Sequence, residues 1–287
     1  MKKIFPRRIK LIQDWRGALT EELSAGKDRN GTDKIKQMES LEKKLLTLAD
    51  MNFCVSEALE EYLVKKYEPA PETRFFIMPC LAEEELFYYS SKLREKIRKK
   101  MNWDRRIVLV YAGALKAGWH VPDYTFAFFR RINNMNPAFF LQVLTGDLEL
   151  AERFRIKHVI SEQDLIILKA DNREVNHYLN GADFGLLFRE DRILNNVASP
   201  TKFAEYMLAG LPVIISPRIG DYSRFVQERN CGFVLPYHYQ QEDLEAVVKK
   251  VQGFYTGYHR MTVAENNRGM FSKSAILSRV MDQFRSL

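Results

Sequence analysis

Apolar residues along this chain follow two rhythms. Short apolar runs recur at residues 9–13, 52–55, 75–78, 107–111, 139–144, 165–168, 184–188, 213–216 and 233–235. Runs of that length predict strands, and a run without alternation, such as Val213-Ile214-Ile215, predicts a strand covered on both faces. Between them lie segments with an apolar residue every three or four positions. Residues 33–49 place Ile35, Met38, Leu41, Leu45 and Leu48 on one side of a helix, and Ser56 can cap a second helix over 57–66. Strands alternating with helices predict an α/β fold with parallel sheets built from βαβ units. With 287 residues, 46% of them hydrophobic, the chain is long enough for two such units or one large one. There is no internal repeat and no low-complexity segment, and no apolar stretch reaches the length needed to span a membrane.

One stretch carries more chemistry than the rest. Residues 199–216, SPTKFAEYMLAGLPVIIS, predict a loop, a helix over 201–209, Gly210 as its stop, and a buried strand. Ser199 or Thr201 can cap that helix, and Pro200 suits its start. Lys202 sits in the first turn, where the helix dipole disfavours a cation, and Glu205 follows on the same face. A lysine beside a helix N-terminus is a ready anion site, and a carboxylate one turn deeper can accept hydrogen bonds from a sugar diol. The same spacing also describes a solvated ion pair on a surface helix.

Charge and composition narrow the partners. The formal net charge is +7, and residues 1–106 carry +5 of it, with 23 basic residues against 18 acidic. The excess is concentrated in residues 1–10 and between Lys92 and Arg106, KLREKIRKKMNWDRR. That second run predicts a basic helix with Leu93, Ile97 and Met101 on one side. It is either an ordinary surface helix or a contact for an anionic membrane surface. No helix-turn-helix, zinc finger or RNP-like strand supports nucleic acid as a partner. The start of the chain is basic but has no continuous apolar core, so it does not read as a signal peptide. Cys54, Cys80 and Cys231 are widely spaced and predict reduced thiols of a cytoplasmic protein. No histidine has a partner at metal-ligand spacing, so neither metal nor cofactor is expected.

The 199–216 run resembles the donor-site segment of GT-B glycosyltransferases, especially the large retaining family 4, and within it members that carry S-P-x-K-x-x-E-Y. Residues 172–187 (NREVNHYLNGADFGLL) are similar to the family's helix leading into a strand. Gly220-Asp221, Phe225-Val226 and residues 231–235 (CGFVL) are similar to its loop, helix and glycine-led strand. Residues 106–113 (RIVLVYAG) resemble the first strand of its donor domain, ending in the glycine that lets backbone approach a diphosphate. The resemblance covers most of residues 9–287, and residues 172–235 are its specific part.

This resemblance implies a GT-B-like architecture of two Rossmann-like domains with parallel sheets, the N-terminal one incomplete. Residues 1–85 would be the partial acceptor-side domain, 86–106 a basic crossover, 107–265 the donor-binding domain and 266–287 a C-terminal helix. The family's early βαβ units have no counterpart here, which predicts an open sheet edge. The implied activity is transfer of a sugar from a UDP- or GDP-linked donor to a glycan or lipid-linked acceptor. It would proceed with retention and without metal, in surface polysaccharide assembly at the inner face of a membrane.

Lys202 is the implied catalytic cation, neutralising the leaving diphosphate, and Glu205 holds the ribose. Gly113, Lys116, Asn172, Arg173 and Ser199 complete the implied donor site, Arg189 joins it because it follows a strand's carboxyl end, where open α/β sheets bind ligands, and Asp14 and Arg16 lie on the acceptor side. Two positions depart from the family pattern. Ala114 stands where an arginine is usual, and Val197 stands where the first of two paired glutamates belongs. Asn195, Asn196 or Ser199 can present polar groups in its place. The departures admit an alternative, a nucleotide-sugar-binding remnant without turnover.

Overall fold

The computed structural model describes residues 9–25, 31–116, 118–254 and 258–287. Most of the basic run at residues 1–10 lies outside them. The chain begins with β1 (Ile12–Trp15), α1 (Leu19–Ala25), α2 (Gly31–Leu48), β2 (Met51–Cys54), α3 (Glu57–Tyr67), β3 (Phe75–Ile77) and α4 (Ser91–Lys100). The three strands form a parallel sheet in the order β1-β2-β3. β1 starts later than the apolar run at residues 9–13 predicts, for two reasons. The Trp15 indole donates to Asn52 Oδ1 at 2.9 Å and fixes the register with β2. The Leu11 N–H is taken by the Asp50 carboxylate at 2.8 Å. Among the described residues the outer edge of β1 pairs with no strand.

The second part comprises β4 (Ile107–Ala112), α5 (Pro122–Met135), β5 (Phe139–Leu144), α6 (Leu148–Lys157), β6 (Leu165–Leu168), α7 (Asn172–Gly181), β7 (Phe184–Leu187), α8 (Ile193–Asn196), α9 (Thr201–Leu208), β8 (Val213–Ile215), α10 (Tyr222–Glu228), β9 (Gly232–Val234), α11 (Gln241–Phe254), α12 (Tyr258–Phe271) and α13 (Lys273–Arg285). Its six parallel strands lie in the order β6-β5-β4-β7-β8-β9. This is the doubly wound arrangement, in which the strand order reverses beside the first strand and ligands bind at the carboxyl edge of that reversal.

Period two explains the layers. Val108, Val110 and Ala112 of β4 face one core with Leu179, Phe203 and Tyr206, while Ile107, Leu109 and Tyr111 face another with Phe126, Phe129 and Val247. Burying an aromatic or leucine side chain in such layers contributes about 1.5–3 kcal/mol. Residues 266–287, read as one helix from sequence, instead hold the end of α12, a break capped by Ser272, and α13. α13 crosses back to the first sheet, where Phe284 stacks on Phe53 and Arg279 lies over Phe76.

The basic segment from Lys92 to Arg106 is not one helix. α4 ends at Lys100, and Asn102 takes a left-handed conformation (φ 55°) that turns Trp103 into the core. Three of its arginines also turn inward. Arg94 bonds Asp183 at 2.5 Å and the Ala182 carbonyl at 2.7 Å, and Arg98 bonds Asp183 and the Gly181 carbonyl, both at 3.0 Å. Arg106 pairs with Asp164 at 2.9 Å. Arg260 of α12 is buried among the C-terminal carbonyls of α7 and α9, donating to Leu179, Asn180, Ala182, Ala209 and Gly210. Cations suit helix C-termini, whose last carbonyls lack intrahelical donors. The amino edge of the large sheet is thereby closed.

Candidate functional site

The carboxyl edge is built from turns that the strands deliver. β4 ends in Gly113, whose φ of +151° few other residues adopt, and the Tyr111 hydroxyl pins the turn by donating to the Ala114 carbonyl at 2.6 Å. The Asp147 carboxylate, in the turn after β5, accepts from Leu115 N at 2.8 Å and pairs with Lys116 Nζ at 3.3 Å. Lys116 therefore leans toward the β5 side, over a cleft of about 540 Å³ that Arg153 and Lys169 also line. Asn172 and Arg173 lie in the first turn of α7, closed by a capping box of Asp171 and Glu174. Both are exposed, and the structure records no bond from either to Lys202 or Glu205.

α9 begins at Thr201 with Pro200 as its N-cap, and no side chain caps it. Ser199, expected as a cap or donor ligand, is buried instead. Its hydroxyl accepts from Cys80 N at 2.8 Å and bonds the Tyr222 hydroxyl at 2.5 Å. This long-range pairing outcompetes the local cap. The N–H groups at the start of α9 are left without a side-chain partner, as an anion site requires. Lys202 Nζ pairs with Glu205 Oε2 at 2.8 Å, but the pair is not a solvated one: the Glu205 side chain is 8% exposed and that of Lys202 32%.

Past β7, Arg189 donates its backbone N–H to Ser216 Oγ at 2.9 Å, and its Nη1 donates to Asn195 Oδ1 at 3.2 Å. His120, in the loop after β4, forms an antiparallel bridge with it. Burial, and then the Arg189 charge, hold His120 down to about 4, so the ring is neutral near pH 7. Among the described residues three buried side-chain atoms have no partner. Two of them, Arg189 Nε and Asn196 Oδ1, belong to this segment, and the third, Gln142 Oε1, lies within the sheet.

The first sheet faces this edge. Ser56 caps α3, as expected, by accepting from Leu59 N at 3.0 Å, and it donates to the Val197 carbonyl at 2.7 Å. Asp221 accepts from Glu57 N at 2.7 Å and Ala58 N at 3.1 Å. Val197 packs into the core of the first sheet with Trp15, Val55 and Leu59. An apolar residue belongs there, because a carboxylate at that position would be desolvated. Asp14 and Arg16 are exposed and pair with each other at 2.8 Å, beside a cavity of about 230 Å³ shared with Trp15, Leu41 and Glu42. Sequence reasoning missed the roles of Val197, Asp221 and Asn195. Val197 left a signal as a departure, Asn195 as a candidate polar group beside it, and Asp221 within the Gly220-Asp221 resemblance.

No protein-family model matches the chain. A Bacillus subtilis (strain 168) protein, TuaH, whose name assigns it to teichuronic acid biosynthesis as a glycosyltransferase, is 26% identical over 189 residues. The match takes in 62% of this chain and 43% of that protein, so the chain matches less than half the length of this relative. Among solved structures, WaaG, a glycosyltransferase involved in lipopolysaccharide biosynthesis, superposes with a TM-score of 0.66 at 19% identity, covering 96% of this chain and 79% of the other. Anabaena HepE in complex with UDP and glucose gives 0.72 at 13% identity, covering 99% and 73%. Sucrose-phosphate synthase from Thermosynechococcus elongatus gives 0.65 at 16% identity, covering 99% and 70%. The fold is the GT-B fold, with parallel-sheet α/β units facing one another.

Proposed function

We propose that this chain is a glycosyltransferase acting in surface-polysaccharide assembly, moving a sugar from a nucleotide diphosphate donor to a glycan or lipid-linked acceptor. The observation that carries the reading is α9: an N-terminus without a side-chain cap at the carboxyl edge, with Lys202 in its first turn and a buried Glu205 one turn deeper. A diphosphate would take the helix N–H groups and Lys202, and a ribose diol would take Glu205. Cleaving the glycosyl–phosphate bond develops charge on the departing phosphate, and a fixed cation there stabilises that charge without a metal. HepE, which shares the fold, has been captured with UDP-glucose, which supports a UDP-linked donor. Retention follows the sequence resemblance. Asp14 and Arg16 lie on the acceptor side. The cations left outward on the basic segment, Lys92, Lys96, Lys99, Lys100 and Arg105, would meet an anionic membrane surface at its cytoplasmic face.

Val197 favours a second reading. An apolar residue occupies the position of an acid and is buried in the facing core, as expected of a donor-binding protein without turnover. Calorimetric titration with UDP and GDP tests the shared premise. Saturable binding that falls roughly 10- to 100-fold in Lys202→Ala is expected, and no binding by the folded chain would sink both readings. Release of nucleoside diphosphate on adding acceptor would then separate enzyme from remnant.

A further inference from the structure

The loop after β7 holds Arg189, which the sequence places in the donor site and to which the α9 reading gives no task. The Arg189 guanidinium makes one side-chain hydrogen bond, from Nη1 to Asn195 Oδ1 at 3.2 Å. Its Nε is sealed from solvent and donates to nothing. No acidic residue among the described residues pairs with it. The two acids that follow in sequence are engaged elsewhere, Glu190 with Arg192 at 2.7 Å and Asp191 with Arg218 at 3.1 Å. The Asn195 amide is itself fixed, donating to the Glu190 carbonyl at 2.9 Å, and so holds the guanidinium by one corner.

The protein treats its other enclosed arginines differently. Arg94 and Arg98 share Asp183, and Arg260 is surrounded by carbonyls. At each of these the cost of taking a guanidinium out of water is offset by acceptors. At Arg189 it is not, and burial pulls the group down to about 10. The neighbouring His120 is neutral near pH 7, so Arg189 is the cation of the pair. Nη2 has no partner and is not among the sealed atoms, so it is the corner of the guanidinium that an oxyanion can reach.

We propose that Arg189 forms a second oxyanion site of the donor pocket, separate from the α9 N-terminus and Lys202, and reads an oxyanion of the bound donor through Nη2. The proposal rests on the nucleotide-sugar reading of the site. Two groups of such a donor have this chemistry, a phosphate of the diphosphate and the carboxylate of a uronic acid sugar. In the first case Arg189 supplies the cation that Ala114 cannot. In the second it selects the sugar.

The test is calorimetry on the full chain with UDP, GDP, UDP-glucose, UDP-glucuronate and inorganic pyrophosphate, comparing wild type with Arg189→Met, Arg189→Lys and Lys202→Ala. The melting temperature of each variant is the control for folding. Arg189→Met is expected to melt no lower than wild type, because it removes a charge without a counter-ion. A loss of roughly 10- to 100-fold for the nucleoside diphosphates and pyrophosphate supports the phosphate source, and a loss confined to UDP-glucuronate supports the carboxylate source. Arg189→Lys keeps the charge and should lose less in either case. Unchanged affinities in Arg189→Met beside a loss in Lys202→Ala overturn the proposal and leave the donor reading standing. A lowered melting temperature in Arg189→Met, with unchanged affinities, also overturns it, because the cation is then structural. Arg189-dependent binding of pyrophosphate without any nucleotide binding keeps the oxyanion site and removes the nucleotide-sugar reading. No binding of any probe by folded wild type overturns both.

Discussion

The two edges of the six-stranded sheet are made from the same helices and treated in opposite ways. At the amino edge, the C-terminal carbonyls of α7 and α9 meet Arg94, Arg98 and Arg260, and Asp183 balances part of the charge. At the carboxyl edge, α9 starts without a side-chain cap, Arg189 has no counter-ion, and a neutral histidine stands beside it. Helix C-termini want cations and receive them from the protein itself, while the facing N-terminus of α9 is left to an anion from outside. An edge with its polar groups satisfied contributes to stability, and an edge with polar groups left unsatisfied forgoes stability for binding.

Substitutions should keep the two edges apart. The largest effect is expected at Arg260. Arg260→Met retains apolar volume but takes the arginine donor from the Leu179, Ala209 and Gly210 carbonyls and leaves those of Asn180 and Ala182 to Arg94 alone, and should lower urea-denaturation stability by about 3–5 kcal/mol. Nucleotide affinity in the folded fraction should not change. A loss of affinity equal to that in Lys202→Ala would mean that the edges are coupled and the comparison fails.

Next comes the pH dependence of the carboxyl edge. His120 titrates near 6.5 when unfolded and near 4 when folded, held down by burial first and the Arg189 charge second. The unfolded chain therefore binds the extra proton within that window. Stability should be full above about pH 6.5 and, with solvent screening of the partly exposed ring, fall by on the order of 1–2 kcal/mol as the pH drops toward 4. His120→Asn should flatten this part of the stability–pH curve, and an unchanged slope would assign it to other groups.

The smallest effect tests a carboxyl-edge residue that the fold itself uses. Asp221→Ala leaves the Ser56 cap but removes the acceptors of the Glu57 and Ala58 amides, and should cost about 1 kcal/mol in thermal or urea unfolding. Asp221→Asn, which keeps one acceptor, should cost less. Equal losses in both would show that charge, not the hydrogen bond, holds the helix start.

Much of the scaffold could be read from the sequence. The strands at residues 139–144 and 165–168 fall where the apolar runs place them, because a buried parallel strand needs little more than an apolar run between turns. The α9 segment was legible for the same local reasons: proline at the start, glycine at the stop, and Lys202 three positions from Glu205. What escaped depends on partners far along the chain. Arg94 and Arg98 sit in a pattern that looks the same whether a basic helix is solvated or docked, and their acceptors lie more than 80 residues away. Ser199 has the local chemistry of a cap, yet Cys80 and Tyr222 claim its hydroxyl. Val197 could be seen as a departure, but its reason, the apolar core of the opposite sheet, is a tertiary fact. Arg189 was found because the carboxyl end of a strand is a general place for ligands. That it lacks a counter-ion could only come from the structure.

The start of α3 is completed by a loop from the other side of the molecule, through the two bonds that Asp221 accepts from Glu57 and Ala58. Any hinge movement that separates the sheets at this point must therefore release those two amides to water. Their deuterium uptake becomes a clock for opening, readable without ligand, acceptor or assay, and any molecule that bridges the cleft should slow it.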